Sequence, residues 1–190
     1  MKSLNEKHAE MTRELVLEAV IELIKDHEVD SLSLKKIAEH AGMSERTLYR
    51  HFSNRDLLME ALAVKLHQQL DLPSTPPRAD ELPDMAGTLY RKLDAKPHIV
   101  LAILHSELYG QILNSKAKDR WDAVKQLLAE RYPETPEKLR DMTAANIRYY
   151  LNATTWHYYR YKFQLDLDTC IQCAQLAIEQ ALKGLSEIAK

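Results

Sequence analysis

Apolar residues recur at intervals of three and four along much of the chain, and this spacing commits it to helices. Met11, Leu15, Val16, Ala19, Val20, Leu23 and Ile24 keep the interval near the N-terminus; Ile171, Ala174, Ile178, Ala181, Leu185 and Ile188 keep it at the other end. On a helix of 3.6 residues per turn such positions form one stripe, which needs a second apolar surface to cover it. Only four glycines and seven prolines occur in 190 residues, while 45% of residues are hydrophobic and 28% charged. That balance fills a core and suits helices better than sheets or disordered tails. The expected fold is all-α.

Leu72-Pro73-Ser74-Thr75-Pro76-Pro77-Arg78 holds three of the seven prolines and cannot continue a helix, so the main boundary is expected there. Before it, a first helix should end near His27. Ser33 is placed to cap a second, with Leu34, Ile37, Ala38 and Ala41 inward, and Ala41-Gly42-Met43 supplies a turn in which Gly42 takes the left-handed backbone. Ser44 is placed to cap a third helix. Ser53-Asn54-Arg55-Asp56 has the form of a capping box, opening a fourth helix from about Asn54 to Leu70. Beyond the boundary the expected helices cover 83–95, 97–114, 117–131, 137–163 and 167–188. Thr135 is read as the cap of the fourth of these, and Pro136 as its first helical residue.

The third helix carries the functional pattern. Leu48 and Phe52 fall on one side, whereas Arg46, Thr47, Tyr49 and Arg50 fall on the other, dividing the helix into an anchoring and a presenting face. Arginine can pair with guanine O6 and N7 in a major groove, and threonine or tyrosine hydroxyls can meet bases or phosphates. The net charge of -2 and a pI near 6.4 argue against indiscriminate coating of nucleic acid. From Ser31 to Arg55, however, Lys35, Lys36, Arg46, Arg50 and Arg55 outnumber Glu39 and Glu45, leaving a surplus of three positive charges. A solvated polar face is the alternative reading of that cluster.

Ser33 to Leu58, S-L-K-K-I-A-E-H-A-G-M-S-E-R-T-L-Y-R-H-F-S-N-R-D-L-L, resembles the DNA-binding domain of the TetR family of bacterial transcription regulators. I-A-E-H-A-G-M-S, T-L-Y-R-H-F and R-D-L-L stand at the family's distances from one another. The resemblance implies a three-helix helix-turn-helix domain over 1–53, a connecting helix over 54–71, and a larger helical domain over 72–190 that binds a ligand and dimerises. It also implies contacts to double-stranded operator DNA from Ser44, Glu45, Arg46, Thr47, Tyr49, Arg50 and His51, with phosphate contacts from Ser33, Lys35 and Arg55. Glu28 stands where the family commonly has a glycine to end the first helix.

In proteins resembling this one, the last two long helices dimerise and the C-terminal domain encloses a small-molecule effector. The dimer surface is expected to include Tyr159, Ile171, Ala174, Ile178, Ala181 and Leu185. Candidates for lining a pocket are His105, Tyr109, Trp121, Met142, Tyr149, Asn152 and Trp156, chosen for mixed apolar and hydrogen-bonding character. The aromatic residues between 149 and 161 are too many for one core, so some must face a cavity, a partner or solvent.

Other chemistries have little to stand on. Cys170 and Cys173 form one C-x-x-C pair within a helical stretch, with no second pair for zinc and no βαβ context, so packing is the expected role. His98, His105 and His157 show no metal-ligand spacing, and there is no H-E-x-x-H pair, Gly-rich phosphate loop or G-x-S-x-G elbow. No metal, cofactor or enzymatic activity is expected. No secretion signal or membrane span is evident, so a cytoplasmic protein is expected. The open alternatives are an activator rather than a repressor, a helical enzyme or ligand-binding protein that carries the motif unused, and a dimeric module whose basic patch meets an acidic protein.

Overall fold

The computed structural model describes residues 3–106 and 108–188, without the side chains of 109, 111–117 and 188. Among the described residues ten α-helices follow one another: α1 Leu4–Leu23, α2 Leu34–His40, α3 Glu45–His51, α4 Arg55–Leu70, α5 Leu82–Asp94, α6 Pro97–Leu104, α7 Leu108–Arg131, α8 Glu137–Tyr150, α9 Ala153–His157 and α10 Leu167–Ile188. Short 3-10 turns cover Val29–Ser31 and Ala79–Glu81, and no strand occurs among the described residues. No helix there is long and apolar enough to cross a membrane. The chain forms two compact units, residues 1–70 with 97–112, and residues 71–96 with 113–190.

In the first unit, α1 begins earlier than its apolar pattern, because Ser3 and Glu6 form a reciprocal capping box. The helix ends at Leu23, before the glycine-free stretch around Glu28, and the chain turns through Val29–Ser31 with Val29 and Leu32 buried. Val16 and Val20 from α1, Ile37 from α2, Leu48 from α3, Phe52, and Leu58 and Leu62 from α4 are fully buried. Each such side chain contributes about 1.5–3 kcal/mol relative to exposure. Segment 97–112 belongs to this unit, where α6 packs against α4.

The cap of α4 differs from expectation. Asn54 Oδ1, rather than Ser53, accepts from an early helix amide, that of Leu57 at 2.9 Å. An amide oxygen directly before the helix reaches that donor without needing the preceding serine.

In the second unit, α10 packs along α5 and α8. Ile171, Ala174 and Ile178 of α10 are buried, as are Ala86, Leu89, Tyr90 and Leu93 of α5 and Ala144 and Ile147 of α8. The Tyr90 hydroxyl donates to the Tyr150 carbonyl at 2.9 Å. Cys170 is free and buried with its thiol directed to the Leu165 carbonyl, while Cys173 is free and half-buried. The C-x-x-C pair is therefore not a disulfide here.

Two helix expectations need correction. Residues 137–163 are interrupted: α8 stops at Tyr150, Asn152 takes an extended conformation and caps α9, and Tyr158–Lys162 is wound as a π turn. Thr135 does not cap α8. Pro136 sits just before the helix in an extended conformation, Thr135 Oγ1 is buried without a partner among the described residues, and Arg140 instead reaches back to the carbonyls of Tyr132, Pro133 and Thr135. In addition, α7 is continuous from Leu108 through 117, where two helices were expected.

Candidate nucleic-acid interface

The turn between α2 and α3 is built by local chemistry. Ser33 Oγ accepts from the Lys36 amide at 3.2 Å, starting α2. Gly42 has φ +67°, and the Met43 amide then closes on the Ala38 carbonyl at 3.0 Å. That left-handed residue reverses the chain where an L side chain would be strained. Ser44 Oγ accepts from the Thr47 amide at 3.2 Å and begins α3.

Helix α3 is held by its inner face, with Leu48 and Phe52 at 0% exposure. Its outer face leaves Glu45, Arg46, Tyr49 and Arg50 exposed, together with Ser33, Lys35 and Ser44 nearby in sequence. Lys35 and Glu39 approach to only 4.0 Å and stay solvated, a pair that restrains the lysine little. Thr47 is less available than expected. It is half-buried, and its hydroxyl lies 3.0 Å from Ser44 Oγ.

His51 and Arg55 also differ from freely presented groups. His51 is half-buried with Nε2 enclosed and unpartnered among the described residues. Burial first, then the charges of Arg50 and Arg13, hold its pKa below the ordinary value, so the neutral ring is favoured. The Arg55 guanidinium donates to the carbonyls of Leu32 and Val29, tying the start of α4 to the turn before α2.

One functional residue escaped the sequence reading. Arg13 on α1 donates to the His51 carbonyl and lies over the Phe52 ring, 4.1 Å from its centroid. It thus fixes the C-terminal end of α3 from outside the helix-turn-helix. Its signal was a charged residue at three and four positions from buried Val16 and Leu17, on the inward stripe of α1.

The proposed pocket and dimer residues fall differently from their expected groupings. Trp156 is fully buried and its indole donates to Asp94 at 3.3 Å; the same carboxylate accepts from Arg160 at 2.7 Å. Asn152 caps α9 through the Thr155 amide and donates to the Tyr149 carbonyl. Trp121 is half-buried, with the Lys125 ammonium 5.9 Å from its ring centroid. Met142 and Tyr149 are 56% and 59% exposed, so they face away from the unit's interior. His105 is exposed and belongs to the other unit, and the Tyr109 side chain lies outside the described residues.

Ile171, Ala174, Ile178 and Leu185 are buried within their own unit, while Tyr159 and Ala181 are half-buried. The stripe expected to meet a second copy is covered by α5 and α8 of the same chain. Among the described side chains of α10, Leu176 is a large apolar group left exposed, at 55%.

Comparison with known proteins agrees with this architecture. Residues 16–62 match the family model described as bacterial regulatory proteins, tetR family. The chain is 36% identical over 69 residues to the tetracycline repressor protein class D of Escherichia coli, an alignment covering 35% of this chain and 32% of that protein. It is 35% identical over 82 residues to the HTH-type nicotine-responsive transcriptional repressor HdnoR of Paenarthrobacter nicotinovorans, covering 43% and 42% respectively. The chain thus spans about a third of the length of the tetracycline repressor it matches. Among solved structures, NalD of Pseudomonas aeruginosa, the secondary repressor of the MexAB-OprM multidrug efflux pump, superposes with a TM-score of 0.65 at 21% identity, over 92% of this chain and 97% of NalD. A TetR-family regulator from Streptomyces coelicolor gives 0.59 at 14% identity, over 95% and 82%. These two likenesses are of fold. Residues 16–62 therefore match the N-terminal region of bacterial regulatory proteins of the tetR family, and the chain shares the all-helical fold of these solved structures.

Proposed function

We propose that the chain is a DNA-binding transcription repressor that acts as a homodimer in the cytoplasm and leaves its operator when a small molecule binds the C-terminal domain. The observation that carries this reading is α3, anchored by Leu48 and Phe52 and exposing Arg46, Tyr49 and Arg50 on its opposite face. Arg46 and Arg50 read base edges, and Tyr49 with Ser33, Lys35 and Ser44 holds phosphates. Glu45 sits in the first turn of α3, next to Arg46. Thr47 and His51 contribute chiefly by shaping the helix, and Arg55 by tying it to the preceding turn. Repression is favoured because the relatives at the N-terminal region are named as repressors.

A two-fold dimer would place two copies of α3 in successive major grooves about 34 Å apart on a roughly palindromic site. The outward faces of α8 and α10, with Met142, Tyr149 and Leu176, supply the surface for that pairing, since large apolar groups there lack intrachain cover. An effector that favours misaligned reader helices lowers operator affinity by its difference in affinity for the two arrangements. Residues 54–71, the connecting helix, carry that change.

Fluorescence anisotropy with DNA from upstream of the protein's own gene tests the reading. Binding should prefer that DNA over scrambled sequence and weaken steeply with salt. Equal affinity for both at every salt concentration rejects it.

A further inference from the structure

We propose that the exposed seam of α1, formed by Leu4, His8, Met11 and Leu15, pairs antiparallel with the same seam of a second copy of the chain. The inference is independent of α3 as a DNA reader and of the outward faces of α8 and α10 as a dimer surface.

Helix α1 carries two apolar faces. Val16, Leu17, Val20 and Leu23 are buried in the first unit. Leu4, Met11 and Leu15 point elsewhere, at 68%, 65% and 53% exposure, and His8 between them is exposed as well. At 100° per residue these four fall within about 60° of arc, on the side turned away from the buried face. Their spacing of four, three and four residues is that of a seam between two helices rather than of apolar residues scattered singly over a surface. The next seam positions are Glu18 and Glu22, both solvated, so the apolar strip stops after Leu15.

Charge selects the partner and its direction. Lys7 and Glu14 lie on one flank of the seam, seven residues apart, with Asn5 and Thr12 on the other. Antiparallel pairing of two copies sets Leu4 against Leu15 and His8 against Met11, each twice, giving layers over about 17 Å. The same register brings Lys7 of each copy beside Glu14 of the other, so one two-fold arrangement makes both ion pairs. Glu14 also takes Lys65 of its own chain but stays more than half exposed, leaving its carboxylate open to a second cation. Parallel pairing would set Lys7 beside the uncharged Thr12 and bring Glu18 and Glu22 against their own counterparts, which like charges oppose. The surface complementary to this strip is the strip itself, reversed. So short a seam is smaller than a stable interface, so isolated copies pair weakly, through the unit that carries α3.

The test is sedimentation velocity on the full chain from about 1 to 500 µM. The parent should show a doubling step in the upper part of that range. Lys7→Glu alone and Glu14→Lys alone each turn both ion pairs into repulsions and should weaken the step about tenfold or more. An equal mixture of the two variants restores opposite charges at both contacts and should return the step to parental strength. Should Glu14→Lys unfold against Lys65, Glu14→Gln replaces it, and its mixture with Lys7→Glu should associate more strongly than Lys7→Glu alone. Leu15→Ser, at an exposed position, should weaken the step without lowering Tm. Carbodiimide coupling of mixed isotope-labelled and unlabelled parent should join Lys7 of one copy to Glu14 of the other, a product distinguished by mass from the link within one chain. No doubling in the parent, no mixed-mass link, single variants that associate like the parent, or a mixture no stronger than its components overturns the proposal. A doubling that is lost in Leu15→Ser but indifferent to both charge reversals overturns the antiparallel register, and the proposal with it.

Discussion

The Arg13 guanidinium lies 4.1 Å from the centroid of the Phe52 ring while donating to the carbonyl of His51, the last residue of α3. One cation on α1 thus supplies a donor to a helix-end carbonyl and covers the ring that anchors the same helix. Both interactions favour positive charge, since a helix C-terminus and an aromatic face each carry partial negative charge. Arg13→Ala should destabilise the chain by about 1–3 kcal/mol, read from urea unfolding. It should also weaken operator binding although Arg13 belongs to neither α2 nor α3. Arg13→Lys should recover only part, because ammonium lacks the planar stack. Unchanged unfolding in Arg13→Ala would remove the clamp from the account.

Acid should loosen this same corner. The His51 pKa is lowered from 6.5 by burial and by Arg50 and Arg13. Well above 6.5 the ring is neutral in both states and its contribution to stability is complete. As pH falls through 6.5 toward the lower folded-state value, the unfolded chain accepts a proton that the folded chain resists, so stability declines. Thermal unfolding between pH 8 and pH 5 should show a smaller decline for His51→Gln than for the parent chain. Parallel curves would show that another group governs the slope.

On DNA, Arg46→Ala should cost about 1–3 kcal/mol at one operator position if the fork pairs with a guanine. The same loss on scrambled DNA would make Arg46 a phosphate contact. Thr47→Val should have a smaller effect on specificity, because the threonine hydroxyl already lies 3.0 Å from Ser44 Oγ.

Opposite faces of α10 should respond oppositely to charge. Leu176→Glu adds charge at a 55% exposed position and should yield a folded monomer in sedimentation velocity. Ile178→Glu places it at a fully buried position and should unfold the chain. A dimer that survives Leu176→Glu would move the interface elsewhere.

Gly42→Ala isolates a backbone effect. A Cβ there meets nothing within 4 Å, yet φ is +67°. The expected loss is therefore conformational, about 1–2 kcal/mol, and thermal unfolding measures it. A loss much larger would point to packing instead.

The turn between α2 and α3 was legible because Ser33, Gly42 and Ser44 act over three or four residues, within reach of local reasoning. Leu48 and Phe52 followed from periodicity. The end of α8 was not legible: Leu151-Asn152 contains neither glycine nor proline, and the break depends on Asn152 bonding both to the Thr155 amide and to the Tyr149 carbonyl. The α10 stripe was found, but periodicity states that a helix needs a covering surface without saying which. Here α5 and α8 of the same chain provide it, so Ile171 and Ile178 turn inward and Leu176 outward. Trp156 likewise looked suited to a ligand, but Asp94, more than sixty residues earlier, satisfies its indole.

The π turn at Tyr158–Lys162 makes chain length itself a structural parameter. The Phe163 amide reaches back five residues to the Tyr158 carbonyl, so this turn holds one residue more than an α-helical turn. Removing that residue would let the winding become regular, but it would change which side chains of the turn share a face with Trp156. Arg160, which joins Asp94 to the Leu165 carbonyl, lies inside the turn and depends on its phase. Length variation is more easily accommodated along the proline-containing stretch from Leu72 to Arg78 than at the aromatic corner, where counting residues is part of building the core.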